Sequence, residues 1–177
     1  MLDKSVLGKF RFFADLTEDR LEEIAKIGEL RTFEPGDTIF QIEDASEHLF
    51  GVVEGAVEMS LIFEEKILRP VIKYEEVNRS YIEILKKPIQ VASVTPGKIF
   101  GWSALVSSRI RTVTAQCAQA STLIALPADD LRDLFAKDPT LGYLLMSRLR
   151  DIVAQRLKNR TEKLIEAWGE AFELDEI

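Results

Sequence analysis

Cysteine and histidine are almost absent from this sequence of 177 residues, which has only Cys117 and His48. A single cysteine cannot form an internal disulfide, and this suits a reducing compartment, so we expect a cytoplasmic protein. Cys117 lies in phase with Val113 and Ala115 on a predicted strand. We therefore interpret it as a small core residue rather than a reactive thiol.

Patterns typical of catalysis or metal binding are also missing. His48 has no Cys, His or Asp-rich neighbours at the spacing of metal ligands, and a surface position on a strand is the simpler interpretation. No serine lies in a nucleophile-elbow pattern, and most carboxylates fall on predicted helix faces and turns. We predict no catalytic residues and no metal site, and we expect that the protein is not an enzyme.

The sequence lacks long apolar runs and an excess of positive charge. No apolar run approaches the roughly 20 residues that cross a bilayer, and the first residues lack the apolar core of a secretion signal, so we expect no membrane association. Asp and Glu number 30 against 23 Lys and Arg, which gives a formal net charge of −7. Because DNA affinity comes largely from neutralising phosphates with Lys and Arg, this balance predicts no DNA binding by this chain.

Short β-prone runs separated by Gly and Pro fill the middle of the chain, from 30 to 127. They span 38–41, 48–53, 57–63, 70–75, 80–85, 90–94, 112–118 and 122–126. Regularly spaced short strands predict a sandwich or barrel, here a β jelly roll, in a mainly β fold with flanking helices. The preceding segment, 1–29, has one helical signal that begins after Thr17, whose side chain can cap the helix.

Helical patterns return in the last segment, 128–177. One helix is predicted over 128–136, and Asp138 with Pro139 supplies a cap and a first-turn proline for a long second helix. Its apolar residues recur at spacings of three, four and seven: Leu141, Leu144, Leu145, Leu149, Ile152, Val153, Leu157, Leu164 and Trp168. This stripe is longer than one jelly roll can cover, so we predict a parallel pair with a second copy. Folding back onto its own barrel is the alternative.

The segment 64–88 is rich in Lys and Glu and predicts an extended hairpin inside a single domain of residues 1–177. Its strand-like rhythm is carried by Val71, Ile72, Tyr74, Tyr81, Ile82 and Ile84. Exposed connections often carry recognition, so this hairpin could bind a protein partner. A solvated hairpin without a partner is the alternative.

A glycine-led turn followed by an arginine is the strongest functional signal. The run Phe100-Gly101-Trp102-Ser103-Ala104 precedes Arg111-Thr112, which opens an alternating strand. At Gly101 the backbone can approach a ligand closely, and the first amides of a helix beginning near Trp102 have no intrahelical partner. Arg111 would complete the clamp with a bidentate fork. The pattern predicts a pocket for one phosphate.

These residues resemble the phosphate-binding cassette of the cyclic-nucleotide-binding domain family, which includes the sensory domain of catabolite-activator-like regulators. The resemblance extends to Phe33-Glu34-Pro35-Gly36-Asp37, to Pro96-Gly97 and to the long final helix. It implies a cytoplasmic regulatory domain in signal transduction, a homodimer formed through the final helix, and cyclic AMP, cyclic GMP or another phosphate-bearing ligand. The implied binding residues are Phe100, Gly101, Trp102, Ser103, Ala104, Arg111 and Thr112.

One position departs from the family pattern. The family usually has Phe-Gly-Glu, and the glutamate takes the ribose 2′-hydroxyl, but this chain has Trp102 there. Loss of one charge-assisted hydrogen bond weakens binding by about one to two powers of ten. The phosphate half of the site is therefore expected to remain while the sugar half is lost. The alternative is that Arg111 pairs with a carboxylate or with cassette carbonyls, which leaves a dimeric interaction or scaffold protein without a ligand.

The purine end of the implied site falls on the final helix at Arg160 and Thr161. Thr161 could hydrogen-bond a purine edge, and Arg160 could stack on a base or bind a second phosphate. An exposed salt bridge is the alternative for Arg160. Family members that regulate transcription continue into a winged helix-turn-helix, whereas this sequence ends at Ile177. We therefore expect a sensor without a DNA reader, with a protein effector as a further expected partner.

Overall fold

The computed structural model describes the backbone of residues 2–73 and 76–174 and the side chains of 2–67 and 81–169. The fold begins with two helices, α1 (Lys4–Leu7) and α2 (Glu18–Ile27), with a 3-10 turn at Arg11–Phe13 between them. The sequence predicted α2 but not α1. Thr17 is the N-cap of α2, yet its side chain makes no capping hydrogen bond. Glu18 and Asp19 in the first turn stabilise the helix instead, because their negative charges lie near the positive end of the helix dipole.

Eight strands in the described part of the chain form two antiparallel sheets of four strands each. They are β1 (Glu29–Phe33), β2 (Thr38–Phe40), β3 (His48–Glu54), β4 (Val57–Lys73), β5 (Glu76–Val94), β6 (Ile99–Phe100), β7 (Thr114–Cys117) and β8 (Ser121–Pro127). One sheet has the order β1-β8-β3-β6 and the other β2-β7-β4-β5. The predicted jelly roll with flanking helices is confirmed.

Two hydrophobic clusters hold the fold together, one on each side of the first sheet. Between the sheets, Phe50 and Phe100 stack with ring centroids 5.3 Å apart, and Phe40 lies 6.1 Å from both rings. Cys117 is buried in this cluster, as predicted. The outer face of the same sheet packs against the helices, so β3 and β8 are covered on both faces. The aromatic cluster lies next to β6, which leads into the predicted cassette.

Strands β4 and β5 form one long ribbon rather than the four short strands that the sequence predicted. Their pairing runs from Val57 with Val94 to Lys73 with Glu76, with register shifts between Met59 and Ser60 and between Val71 and Ile72. Pro88 lies within β5 and pairs in register with Ile62. A proline is tolerated there because β5 is the outer strand of its sheet. The predicted extended hairpin is present, although Tyr74 lies outside the described residues.

Two helices close the fold, α3 (Ala128–Lys137) and α4 (Pro139–Leu174). Asp138 caps α4 as predicted, because its Oδ1 accepts a hydrogen bond from the Leu141 amide at 3.0 Å. Arg20 donates from Nε to the other carboxylate oxygen at 2.8 Å and ties this junction to α2. The first half of α4 is buried through Leu141, Leu145 and Leu149, whereas its distal apolar residues are exposed in the single chain. Among the described helices, none combines the length and the apolarity of a membrane span.

Candidate functional site

The backbone of the cassette turns sharply at Gly101. Strand β6 ends at Phe100, and Gly101 has the left-handed angles φ 75° and ψ 25°, which cost little only for glycine. A Cβ at this position would lie 2.7 Å from Nη1 of Arg111 and 3.3 Å from the His48 carbonyl oxygen. The helix predicted near Trp102 is a 3-10 turn of four residues, Trp102–Leu105. Its first internal bond runs from the Ala104 amide to the Gly101 carbonyl at 3.2 Å.

Arg111 is buried directly beneath this turn, with 3% of its surface exposed. Its Nη1 donates to the Gly101 carbonyl at 2.8 Å, and its Nη2 donates to the His48 carbonyl at 2.9 Å. The guanidinium carbon lies 4.0 Å from the centre of the Phe40 ring, which gives a cation–π contact. Arg111 therefore connects the cassette to β3 and to the aromatic cluster.

The charge on Arg111 has no anionic partner in the part of the chain that the structure describes. Burial lowers the pKa of Arg111 to about 10, an effect that the fields of Asp44 and Glu47 oppose. Its Nε atom is buried without a hydrogen-bond partner, and no carboxylate of the described residues forms a salt bridge with it. The sequence offered a carboxylate or backbone carbonyls as alternative partners of Arg111, and the structure shows backbone carbonyls. The backbone carbonyls, the Ser103 hydroxyl at 3.5 Å and the Phe40 ring are neutral partners, so they offset only part of the cost of burying this charge. An anion would lower that cost further.

The other cassette residues are held from two sides. The Oγ of Ser103 lies 2.9 Å from the Oγ of Ser46, which is itself buried. Ala104 is also buried, and its carbonyl accepts a hydrogen bond from Arg132 of α3. Thr112 follows Arg111 on an exposed bend. The cassette is therefore fixed to the sheet on one side and to α3 on the other, with Thr112 at its outer edge.

Trp102, at the position of the family glutamate, contacts α4. It is half-buried, and the guanidinium carbon of Arg156 lies 4.3 Å from the centre of its ring system. Arg156 also donates from Nη2 to the Ile99 carbonyl at 3.3 Å and from Nη1 to the Met59 sulfur at 3.7 Å. Burial, with a smaller effect of nearby Arg160, lowers the pKa of Arg156 to about 10. Trp102, which stands where the family usually has glutamate, is thus paired with a guanidinium of α4.

The sequence interpretation missed Arg156, although one signal pointed to it. Arg156 precedes Arg160 by four residues, so both lie on one face of α4. Arg160 is exposed, and together with Arg156 it lines a cleft of about 880 Å³. Neither Arg111 nor any residue of 100–105 lines this cleft. Thr161 is exposed, and its hydroxyl donates to the Leu157 carbonyl of its own helix at 3.0 Å. The predicted phosphate and purine residues are thus not gathered in one cavity.

His48 is not the surface residue that the sequence suggested. It is half-buried in β3, its ring lies 5.8 Å from the Phe50 ring, and its Nε2 lies 3.0 Å from Nη2 of Arg31. Burial and the neighbouring Arg31 charge lower the pKa of His48. Across residues 2–73 and 76–174, no group of three or more His, Cys, Asp or Glu is placed to hold a metal ion.

The two four-stranded sheets with flanking helices and the glycine-led turn before Arg111 define a cyclic-nucleotide-binding type of fold. Residues 30–138 match the model of the cyclic nucleotide-binding domain, and they make up more than half of the chain. The chain belongs to the cyclic nucleotide-binding domain family.

Solved structures with this fold come from bacteria and from a eukaryotic parasite. A protein of Geobacter metallireducens, described as cyclic nucleotide-binding, is 28% identical with a TM-score of 0.67, and the match covers 89% of this chain and 99% of that one. The catabolite activator protein of Thermus thermophilus is 21% identical with a TM-score of 0.61, covering 86% and 61%. The regulatory domain of Toxoplasma gondii PKA, solved with cAMP, is 15% identical with a TM-score of 0.59, covering 88% and 48%. No curated protein matches the sequence.

Proposed function

We propose that the protein is a regulatory module that binds a nucleotide or another small phosphate-bearing anion at the cassette of Phe100–Ala104, Arg111 and Thr112. The observation that carries this proposal is the buried positive charge of Arg111, which lies under the cassette without a carboxylate partner in the described part of the chain. The left-handed Gly101 supports it, because the missing Cβ lets the Arg111 guanidinium lie directly against the turn, 2.8 Å from the Gly101 carbonyl.

A phosphate would compete with the carbonyl groups that now hold Arg111. Charged oxygens accept stronger hydrogen bonds than neutral carbonyls do, so the guanidinium would leave the Gly101 and His48 carbonyls for the ligand. The amides of Trp102 and Ser103 precede the first internal bond of the turn and would donate to the same phosphate. This exchange would loosen the link between the cassette and β3.

The cassette is also the route by which binding would reach the helices. Arg132 of α3 donates to the Ala104 carbonyl, and Arg156 of α4 stacks on Trp102. A ligand that displaces Trp102 would therefore move a residue that contacts α4. Such a ligand can shift the equilibrium between two positions of the helix only by the difference in its affinity for the two conformations of the protein. Cyclic AMP and cyclic GMP, the family ligands, would bind weakly because Trp102 supplies no carboxylate for the ribose.

We further propose a cytoplasmic homodimer formed through the distal half of α4. A surface of this dimer would bind a protein effector. Leu157 is 67% exposed, Leu164 49% and Trp168 58% in the single chain, and they follow the helical spacing of the buried residues before them. In this arrangement Arg160 and Thr161 would lie near the dimer interface. Their role at a purine base stays a prediction.

A second candidate is a dimeric interaction module that binds no ligand. The contact between Trp102 and Arg156 favours it, because this pair fills the position of the sugar contact. The hydrogen bonds of Arg111 to two backbone carbonyls favour it as well.

Thermal unfolding distinguishes the two candidates. The protein is melted with cyclic AMP, cyclic GMP, cyclic dinucleotides, linear nucleotides and simple anions at millimolar concentration. A ligand at a hundred times its Kd stabilises by about 2.7 kcal/mol, or about 5–11 °C for a domain of this size. Arg111→Gln, which removes the charge and keeps a donor, should abolish the shift. Arg109→Gln is the matched control, because that exposed arginine pairs with Asp129.

Each outcome separates the candidates. A shift that survives in Arg111→Gln would place the ligand elsewhere and contradict the cassette assignment. Absence of any shift across the panel would favour the ligand-free interaction module. Cooperative melting of the variants shows that they remain folded.

A further inference from the structure

A cationic cleft lies outside the cassette, between α4 and the side of the jelly roll. Its volume is about 880 Å³, and its walls come from α4, the end of β5, the turn before β6 and the 3-10 turn near the N-terminus. Six of its lining residues are cationic: Arg11, Lys98, Arg148, Arg156, Arg160 and Lys163. The cleft is therefore strongly basic in a protein whose formal net charge is −7.

Three of the cleft cations lie on one face of α4. Arg156, Arg160 and Lys163 follow each other at spacings of four and three residues, which places them side by side above the cleft. Like charges at this spacing repel each other in the absence of a counterion. Consistent with this, the lowered pKa of Arg156 is caused by burial and by the charge of Arg160.

The acidic residues of the cleft do not neutralise these cations. Only Asp15 and Asp151 are acidic among its lining residues. Asp15 pairs with Arg148 at 3.7 Å, and Asp151 pairs at 2.9 Å with Arg150, which does not line the cleft. Within the described residues, only Arg148 of the six cleft cations forms a salt bridge, and five do not: Arg11, Lys98, Arg156, Arg160 and Lys163.

The floor of the cleft is partly apolar. Val91 and Ala92 of β5 and Ile152 of α4 are half-buried, and Ile99 is fully buried. A volume of this size suits a small organic ligand with a few charged contacts around an apolar centre. Extended polyanions such as nucleic acid or an anionic membrane would meet the acidic remainder of the surface, which repels them.

We propose that this cleft is a second binding site, for a small organic polyanion that carries two or more phosphate groups. Arg160 and Lys163 bind the outer phosphates, and Arg156 binds the group nearest the barrel. The cleft is separate from the cassette, because neither Arg111 nor any residue of 100–105 lines it, and the two meet where Arg156 contacts Trp102.

Isothermal titration calorimetry with inorganic triphosphate and with ATP, both without divalent cations, tests this site. Arg160→Gln should weaken triphosphate binding about tenfold, because one charge-assisted contact is lost. The matched control is Lys158→Gln, which removes one positive charge two residues away on the same helix, outside the cleft. Both positions are exposed, so neither variant should disturb the core. Arg111→Gln removes any binding at the cassette, so triphosphate should still bind this variant, at the cleft and with the wild-type affinity of the cleft.

Three results would overturn the proposal. These are no triphosphate or ATP binding at millimolar concentration, an equal loss in Lys158→Gln, and complete loss of triphosphate binding in Arg111→Gln. The last result would assign the phosphates to the cassette. If triphosphate and ATP bind with equal affinity, the cleft contacts only the phosphate groups of its ligand. If ATP binds more tightly, the base of the ligand also packs on the apolar floor. Because Arg111→Gln alone tests the cassette, failure of one site does not imply failure of the other.

Discussion

Substitution of Gly101 by alanine should destabilise the protein through two separable effects. The first is the backbone, because a residue with a Cβ loses about 1–2 kcal/mol in the left-handed conformation that Gly101 adopts. The second is Arg111, whose Nη1 would lie 2.7 Å from the new Cβ and must leave the Gly101 carbonyl. Loss of that charged hydrogen bond costs about 1.5–3 kcal/mol. The sum is about 2.5–5 kcal/mol.

Gly36 offers a matched control for the backbone effect. It also has a positive φ, 89°, but a Cβ there would meet no atom within 4 Å. Gly36→Ala should therefore cost only about 1–2 kcal/mol. Urea unfolding measures both variants. At about 2–4 °C per kcal/mol, thermal melting should show a drop of about 2–8 °C for Gly36→Ala and about 5–20 °C for Gly101→Ala.

A double-mutant cycle tests the cause of the excess. In an Arg111→Gln background, the shorter side chain leaves space for the new methyl group, so the excess cost of Gly101→Ala over Gly36→Ala should fall by about 1.5–3 kcal/mol. Any remaining excess comes from the His48 carbonyl oxygen and the Phe50 ring, each 3.3 Å from the new Cβ. Equal costs of the two glycine substitutions in the wild type would refute the reasoning. So would an excess cost at Gly101 that is undiminished after Arg111 is removed.

Three further predictions concern Trp102 and α4. Trp102→Glu places a carboxylate beside Arg156 and should raise the affinity for cyclic nucleotides, measured by calorimetry, about ten- to a hundredfold. Unchanged affinity would show that the missing sugar contact is not what limits cyclic-nucleotide binding. Leu157→Asp with Leu164→Asp should halve the mass measured by light scattering, and a constant mass would remove α4 from the interface. Leu145→Ala empties a fully buried position and should cost about 2–5 kcal/mol in urea unfolding. A cost below about 1 kcal/mol would show that the packing of α4 at Leu145 contributes little to the free energy of unfolding.

The periodic elements of the fold could be predicted from the sequence. Helix α3 was expected over 128–136 and spans Ala128–Lys137, because its apolar residues and its bounding prolines mark it clearly. Strand β3 was expected over 48–53 and spans His48–Glu54. In contrast, β1 is mostly exposed, without an apolar alternation, and β6 has only two residues. Both exist because of their partner strands, β8 and β3, which no local pattern reveals.

The cassette was predictable in its position but not in its internal geometry. The motif placed Gly101 near Arg111, and the structure joins them at 2.8 Å. The inward direction of the guanidinium depends on Phe40 and the His48 carbonyl, which lie far away in sequence. The contact between Trp102 and Arg156 is also set by where α4 crosses the barrel. Side-chain direction at this site is therefore a property of tertiary packing.

The length of α4 beyond its last buried residue would make this helix a lever. Leu149 is its last buried residue in the described part of the chain, and Trp168 follows 19 residues later, which is about 29 Å along the axis. A tilt of about 10° around Leu149 would carry Trp168 sideways by about 5 Å, roughly half the diameter of a helix. Arg156 lies near the pivot, where it contacts Trp102. Small movements at the cassette would thus be amplified at the distal end of α4, where the exposed apolar residues lie.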